Sequence, residues 1–114
     1  DAYDVEQGTR LKNRRTAASF TAEEGAPDGM CIDADGNLWV ALWGGHCVVC
    51  LDPASGKRLD KIDFPDQLVS CCTFGGENMQ TLFVTSARDE FGNGGNLWSV
   101  KTNSKGVLPY LYQE

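Results

Sequence analysis

The feature that most constrains the fold of this 114-residue chain is an internal repeat. Residues 1–11 and 49–59 share four residue types at a constant offset of 48 positions. The matched pairs are Asp4 and Asp52, Gly8 and Gly56, Arg10 and Arg58, and Leu11 and Leu59. Each copy reads as a strand, a turn led by Asp and closed by Gly, and a second strand. The repeat therefore predicts an outer hairpin that the chain uses twice.

A second correspondence links residues 28–42 with residues 70–86 and matches two apolar runs, 38–42 and 81–85. Both runs are apolar on both faces, as expected of strands in a sheet that is covered on each side, whereas a lone sheet alternates polar and apolar residues. Repeats of about 40 to 50 residues with four strands each are typical of β-propeller blades. The pattern predicts an all-β fold of this kind.

We divide the chain into three pieces of such a propeller. They are the outer hairpin of one blade at residues 1–22, a full blade at 27–66, and most of the next blade at 67–114. At roughly 45 residues a blade, this is only about two and a half blades, while a closed propeller usually needs about four to eight. We therefore expect a partial β-propeller whose open strand edges need covering.

Asp28 is the first candidate for a functional residue. It lies between Pro27 and Gly29, and we interpret this tripeptide as a tight turn at the entrance to an apolar strand. A rigid sheet can hold a carboxylate at such a point. From the residues alone, a turn residue that bonds its own backbone is the commoner role for such an Asp. Ser70 holds the equivalent place in the second repeat, so it is expected to line the same surface.

Composition and charge exclude several classes of partner. The formal net charge is −6, and Lys and Arg are scattered singly, which argues against nucleic acid and anionic membranes. No apolar run approaches the roughly 20 residues of a membrane span, and no signal-peptide pattern is found. The cysteines number five, an odd count that favours reduced thiols. These features predict a cytoplasmic protein.

Two patterns resemble metal sites but are better interpreted otherwise. Cys47 and Cys50 have zinc-knuckle spacing, yet they lie in an apolar strand, where residues three apart point to opposite faces. Residues 33–36 resemble the start of a calcium loop, but the Gly and Glu that an EF-hand needs are replaced by Leu38 and Gly44. We expect packed thiols and a hairpin turn.

Several of these motifs together resemble the C-terminal part of a known family, that of regucalcin (senescence marker protein 30), gluconolactonase and luciferin-regenerating enzyme. The motifs are Pro-Asp-Gly-Met-Cys-Ile-Asp at 27–33, Leu-Trp-Val-Ala at 38–41, Leu-Asp-Pro at 51–53 with Gly-Lys-Arg-Leu at 56–59, Ser-Cys-Cys at 70–72 with Phe-Gly-Gly at 74–76, and Leu-Phe-Val-Thr-Ser-Ala-Arg at 82–88. The resemblance covers nearly the whole chain. It implies a six-bladed propeller and a metal-dependent lactonase that opens aldonolactones, with calcium or zinc in its central channel.

The resemblance also implies a role for Asp28, because the Asp of the family's Pro-Asp-Gly motif is a metal ligand and is assigned a role in acid/base catalysis. The family's other ligands, a Glu and an Asn, and its substrate-binding Arg are expected in segments that precede Asp1. One copy of the chain is then expected to lack a complete site. Three functions stay open: part of a lactonase, a non-catalytic calcium-binding or regulatory propeller, and a fragment that associates with itself or with the missing N-terminal blades.

We predict that the chain alone is not a stable monomer. Blade faces that carry Trp39, Leu42, Phe83 and Val84 are expected to be exposed on at least one side, and open edges with apolar patches drive association. Sedimentation at micromolar concentration should show self-association. A compact, well-folded monomer would contradict this prediction.

Overall fold

The computed structural model describes the backbone of residues 2–6, 10–15 and 18–107, and the side chains of residues 18–107. The described residues form nine strands and no helix, which confirms the all-β prediction. The strands are β1 (Ala2–Glu6), β2 (Arg10–Arg15), β3 (Ala26–Ile32), β4 (Leu38–Trp43), β5 (Cys47–Leu51), β6 (Arg58–Asp63), β7 (Val69–Gly75), β8 (Thr81–Ser86) and β9 (Leu97–Lys101). In this part of the chain there is accordingly no helix that could cross a membrane.

The strands form three antiparallel sheets in chain order: β1-β2, β3-β4-β5-β6 and β7-β8-β9. Within each sheet, every strand pairs with the next one along the chain, and the longest connection is the loop of residues 87–96 between β8 and β9. The four-stranded and three-stranded sheets fall within the predicted pieces 27–66 and 67–114 almost entirely. Whether each sheet is a propeller blade stays a prediction, and residues 108–114 of the last piece lie outside the described residues.

The two copies of the repeated hairpin agree in their second strand and differ in their first. Strands β2 and β6 keep the predicted offset, and Asp52 follows β5 and begins a turn. Asp4 instead lies inside β1, because the pairing of β1 with β2 continues as far as Glu6 and Arg10. The prediction of an Asp-led turn at Asp4 is therefore wrong.

The main core lies between the four-stranded and three-stranded sheets. The rings of Trp39 and Phe74 meet edge to face, with centroids 5.5 Å apart. Around them lie Ala41, Val48, Cys50, Phe64, Val69, Cys72, Leu82 and Val84, all buried. Trp39 and Val84 are thus covered by the opposing sheet, and Leu42 is buried as well, which corrects the expectation that these three residues lie on an exposed face.

The opposite face of the four-stranded sheet is buried as well. Val40, Leu42, Cys47, Val49 and Leu51 form a second cluster, against which Ala18, Phe20 and Leu38 pack. Strands β4 and β5 are therefore apolar on both sides, as their sequences predict.

The cysteines of β5 lie in different clusters on opposite faces of the sheet. Cys47 belongs to the second cluster and Cys50 to the main core, so the two cannot chelate one ion. Burial raises the pKa of the Cys47 thiol and raises that of Cys50 to about 11. Both therefore stay protonated at neutral pH and pack as small apolar groups.

A buried carboxylate organises the turn between β3 and β4. Asp33 Oδ1 accepts hydrogen bonds from the backbone N–H groups of Asp35 (2.9 Å) and Asn37 (3.0 Å). Its Oδ2 accepts one from the indole Nε1 of Trp39 at 3.0 Å. The segment that resembles a calcium loop is thus a hairpin turn whose first carboxylate also orients the central tryptophan of the core.

A second buried carboxylate, Asp66, ties the loop after β6 to the three-stranded sheet. Its Oδ2 accepts hydrogen bonds from Ser86 Oγ (2.7 Å), Asn96 Nδ2 (3.0 Å) and Trp98 Nε1 (2.7 Å). These bonds lower the pKa of the Asp66 carboxyl, and the bond from Ser86 has the largest effect. Because they favour the charged form, they contribute stability that depends on pH.

We predict that Asp66→Asn destabilises the fold near neutral pH and that the loss shrinks in acid. The folded-state pKa of Asp66 lies below its ordinary value of 3.8, so the stabilisation is present above that value and is lost as the pH falls through the folded-state pKa. Urea unfolding at pH 7 and at about pH 3 measures the difference between the native protein and the variant. Glu90→Gln, which removes an exposed charge, is the control and should show little difference at either pH. A loss that is equal at both pH values would contradict the prediction.

Candidate functional site

Asp28 lies in a β-bulge in the third strand. Pro27 pairs with Leu42 and Met30 with Val40, so the two residues between them, Asp28 and Gly29, face one residue of β4. The interpretation of Pro-Asp-Gly as a turn before the strand is therefore wrong, because pairing with β4 begins already at Ala26. The candidate carboxylate is carried by the sheet itself.

The Asp28 side chain is exposed and does not make the contacts of a turn residue. Asp33, Asp52 and Asp89 each accept a hydrogen bond from the backbone N–H two residues further on. Asp28 has no comparable hydrogen bond among residues 18–107. In this structure, Asp28 therefore does not act as a turn residue that bonds its own backbone, which was one of the two roles considered from the sequence.

Ser70 lies in the matching bulge of the next sheet. Val69 pairs with Ser86 and Cys71 with Thr85, which leaves Ser70 as the extra residue of β7. Its hydroxyl is 3.1 Å from the Thr85 carbonyl oxygen and 2.9 Å from Thr85 Oγ1. Asp28 and Ser70, the two predicted site residues, thus each lie in a bulge in the first strand of their sheet.

A close approach at Gly29 brings the two bulged strands together. A Cβ atom at position 29 would lie 2.6 Å from Cys71 Sγ and 2.8 Å from Cys71 Cα, closer than real side chains approach. Only a glycine lets β3 and β7 lie this near each other. Since Gly29 follows Asp28 and Cys71 follows Ser70, the two bulges lie in adjacent parts of the surface.

The described residues supply one ligand and not a complete metal site. Within residues 18–107, no three side chains of His, Cys, Asp or Glu are grouped closely enough to hold an ion. Asp28 offers carboxylate oxygens, the donor type that hard cations such as calcium prefer, but such cations take about six or more oxygens. The Asp28 carboxylate therefore fits one position in a larger ligand set.

A separate groove of about 400 Å³ runs between the segment before β3 and strands β5 and β6. Glu24, Leu42, Cys47 and Arg58 are among the residues that line it. Arg58 pairs with Glu24 at 3.3 Å and stacks on the Phe20 ring at 4.3 Å. This groove does not include Asp28, so it is distinct from the candidate site.

Comparison with known proteins identifies the family. The model of the SMP-30/gluconolactonase/LRE-like region matches residues 1–88. The chain belongs to this family. Human regucalcin is 42% identical over 96% of the chain, and chicken regucalcin is 47% identical over 76% of it. The chain spans about 40% of the length of human regucalcin and 29% of that of the chicken protein.

Solved structures of family members share this fold. A luciferin-regenerating enzyme superposes with a TM-score of 0.84 and 32% identity, over 92% of this chain and 38% of its own. A calcium-binding regucalcin from Agrobacterium tumefaciens gives a TM-score of 0.70 and 28% identity, over 77% of this chain and 32% of its own. The family resemblance inferred from the motifs is thus confirmed.

We predict that Gly29→Ala destabilises the fold by about 1 to 3 kcal/mol, because the new methyl group overlaps Cys71 and forces β3 away from β7. Urea unfolding measures the loss. Thr73→Ala, at an exposed position of β7, is the matched control and should change stability by less than about 1 kcal/mol. A Gly29→Ala variant as stable as the native chain would mean that the two strands do not touch at this point.

Proposed function

We propose that this chain is the C-terminal part of a metal-dependent lactonase that hydrolyses sugar lactones, and that its sheets are blades of a six-bladed propeller. The observation that carries the proposal is the exposed Asp28 carboxylate on a sheet bulge, in a chain that belongs to the SMP-30/gluconolactonase/LRE-like family. A structural relative that has been proposed to be a gluconolactonase supports the reaction class, with a TM-score of 0.74 and 27% identity.

Asp28 is the residue that would hold the divalent cation, calcium or zinc. A bound cation of this kind polarises a carbonyl group and lowers the pKa of water. The chain's own part is to hold one carboxylate on a strand that pairs with β4 and approaches β7 closely at Gly29. In this proposal Asp28 also accepts a proton from water during ring opening, since a carboxylate within hydrogen-bond reach can act as a general base.

Ser70 is proposed to contribute to the same surface by its hydroxyl group. The hydroxyl lies next to Thr85 Oγ1, so one bulge presents a carboxylate and the other a pair of hydroxyls. Hydroxyl pairs of this kind can donate to and accept from the hydroxyls of a sugar lactone. The remaining metal ligands would come from outside the described residues.

A second candidate function is calcium binding without catalysis. What favours it is that the exposed Asp28 carboxylate offers the oxygen donors that calcium prefers. The regucalcin of Agrobacterium tumefaciens, a structural relative, is described as a calcium-binding protein. We propose a cytoplasmic location for either function, with self-association or pairing with further blades to cover the open edges.

We predict that Asp28→Asn lowers metal affinity and lactone turnover about ten- to a thousand-fold, because it keeps the size of the side chain and removes the charge. The protein to use is one that carries this chain together with the remaining blades of the family fold. Lactone hydrolysis during a metal titration measures both effects, and thermal unfolding without metal should not change.

Asp35→Asn is the matched control, because Asp35 is an exposed Asp in the turn after the same strand. Equal activity in the native protein and Asp28→Asn would refute the role of Asp28. Metal binding that depends on Asp28, without any lactone turnover in the native protein, would favour the calcium-binding function.

A further inference from the structure

Two cysteines face each other across the contact between the sheets. Cys31 lies on β3 and Cys72 on β7, 41 positions apart in the chain, and their Sγ atoms are 3.8 Å apart. Cys31 is half-buried and Cys72 is buried. The S–H of Cys72 has two acceptors within reach, the sulfur of Cys31 and the Trp39 carbonyl oxygen at 3.2 Å.

The strands that carry these thiols are held close by packing that does not involve a disulfide. Gly29 allows β3 to touch β7 at Cys71, which lies next to Cys72. A disulfide requires the sulfurs to approach to about 2.05 Å, with the two Cα atoms roughly 4.4 to 6.8 Å apart. A disulfide between Cys31 and Cys72 therefore requires their Sγ atoms to move closer than the 3.8 Å that separates them in this structure.

We propose that Cys31 and Cys72 form a disulfide when the protein meets a peroxide, and that this bond covalently links the four-stranded sheet to the three-stranded sheet. The thiolate of Cys31 attacks one oxygen of hydrogen peroxide, the O–O bond breaks, the departing hydroxide takes up a proton to become water, and Cys31 becomes a sulfenic acid. Cys72 then loses its proton and attacks the Cys31 sulfur, and the S–O bond breaks with release of water. The two thiols together lose two electrons, which reduce the peroxide to two molecules of water.

The surroundings of the two thiols match these roles. Hydrogen bonding from Cys72 lowers the pKa of the Cys31 thiol, while the bond to Cys31 and burial raise the pKa of Cys72. Cys31 is also the more accessible of the pair, so it is the one that a small oxidant reaches first. Cys72 is already in contact when the sulfenic acid forms, which makes it the resolving thiol.

The bond would act on the part of the sheet that carries Asp28. Cys31 lies three positions after Asp28 on β3, so the crosslink fixes this strand against β7. Because the crosslink closes a long loop, the oxidised chain should unfold at a temperature at least about 5 °C higher than the reduced chain. Without peroxide, both thiols remain free, as they are in this structure.

The test is peptide mapping of the full chain after treatment with hydrogen peroxide. Free thiols are alkylated without reductant, and the chain is cut with a protease that cleaves before Asp. This cleavage isolates Cys31 in residues 28–32 and Cys72, with Cys71, in residues 66–88. We expect these two peptides to be joined within one chain, and the link to disappear on reduction.

Variants identify the sulfurs that take part. The exposed Cys71 is the matched control, so Cys71→Ser should keep the link and the rise in unfolding temperature, whereas Cys31→Ser and Cys72→Ser should lose both. If Cys31→Ser or Cys72→Ser does not fold, the peptide maps of the native chain and of the Cys71→Ser variant still show which sulfurs are linked. The proposal is overturned if Cys31 stays unlinked, if it pairs with any other cysteine, or if the link joins two chains.

Discussion

The structure depends on the packing of one sheet against the next through Trp39. This indole is buried in the main core, meets Phe74 of the opposing sheet, and is held in place by the Asp33 carboxylate. The same device occurs a second time, where Asp66 accepts a hydrogen bond from the indole of Trp98. In each case a carboxylate in a connecting loop satisfies the indole N–H, which would cost free energy if it were buried unpaired.

This packing determines where the candidate site lies. Because the sheets meet closely, the first strands of both sheets are adjacent, and Gly29 is the residue that permits the contact. Each of these strands has a bulge, which interrupts the regular alternation of side chains and turns Asp28 or Ser70 out of the ladder. The Asp28 carboxylate can therefore project from the first strand of its sheet without disturbing the core.

Local patterns predicted the strands well and the long-range contacts poorly. The run 38–42 predicted β4 to within one residue, because period and apolar content are local properties. Pro27 and Gly29 indicated a turn, but tertiary pairing with β4 made this segment part of a strand. The Asp66 network joins residues about 20 to 32 positions apart, and the Cys31 and Cys72 contact spans 41, so no local pattern could reveal either.

The central claim is that the four-stranded and three-stranded sheets form one packed unit, and amide hydrogen exchange of the whole chain tests it most directly. Exchange is measured under native conditions at increasing low concentrations of urea, residue by residue. If the sheets unfold together, the slowest amides of β4 and β8 share one opening free energy and one dependence on urea. If β8 opens at a clearly lower free energy than β4, the sheets are independent, and the contact that brings the two bulges together does not hold them in place.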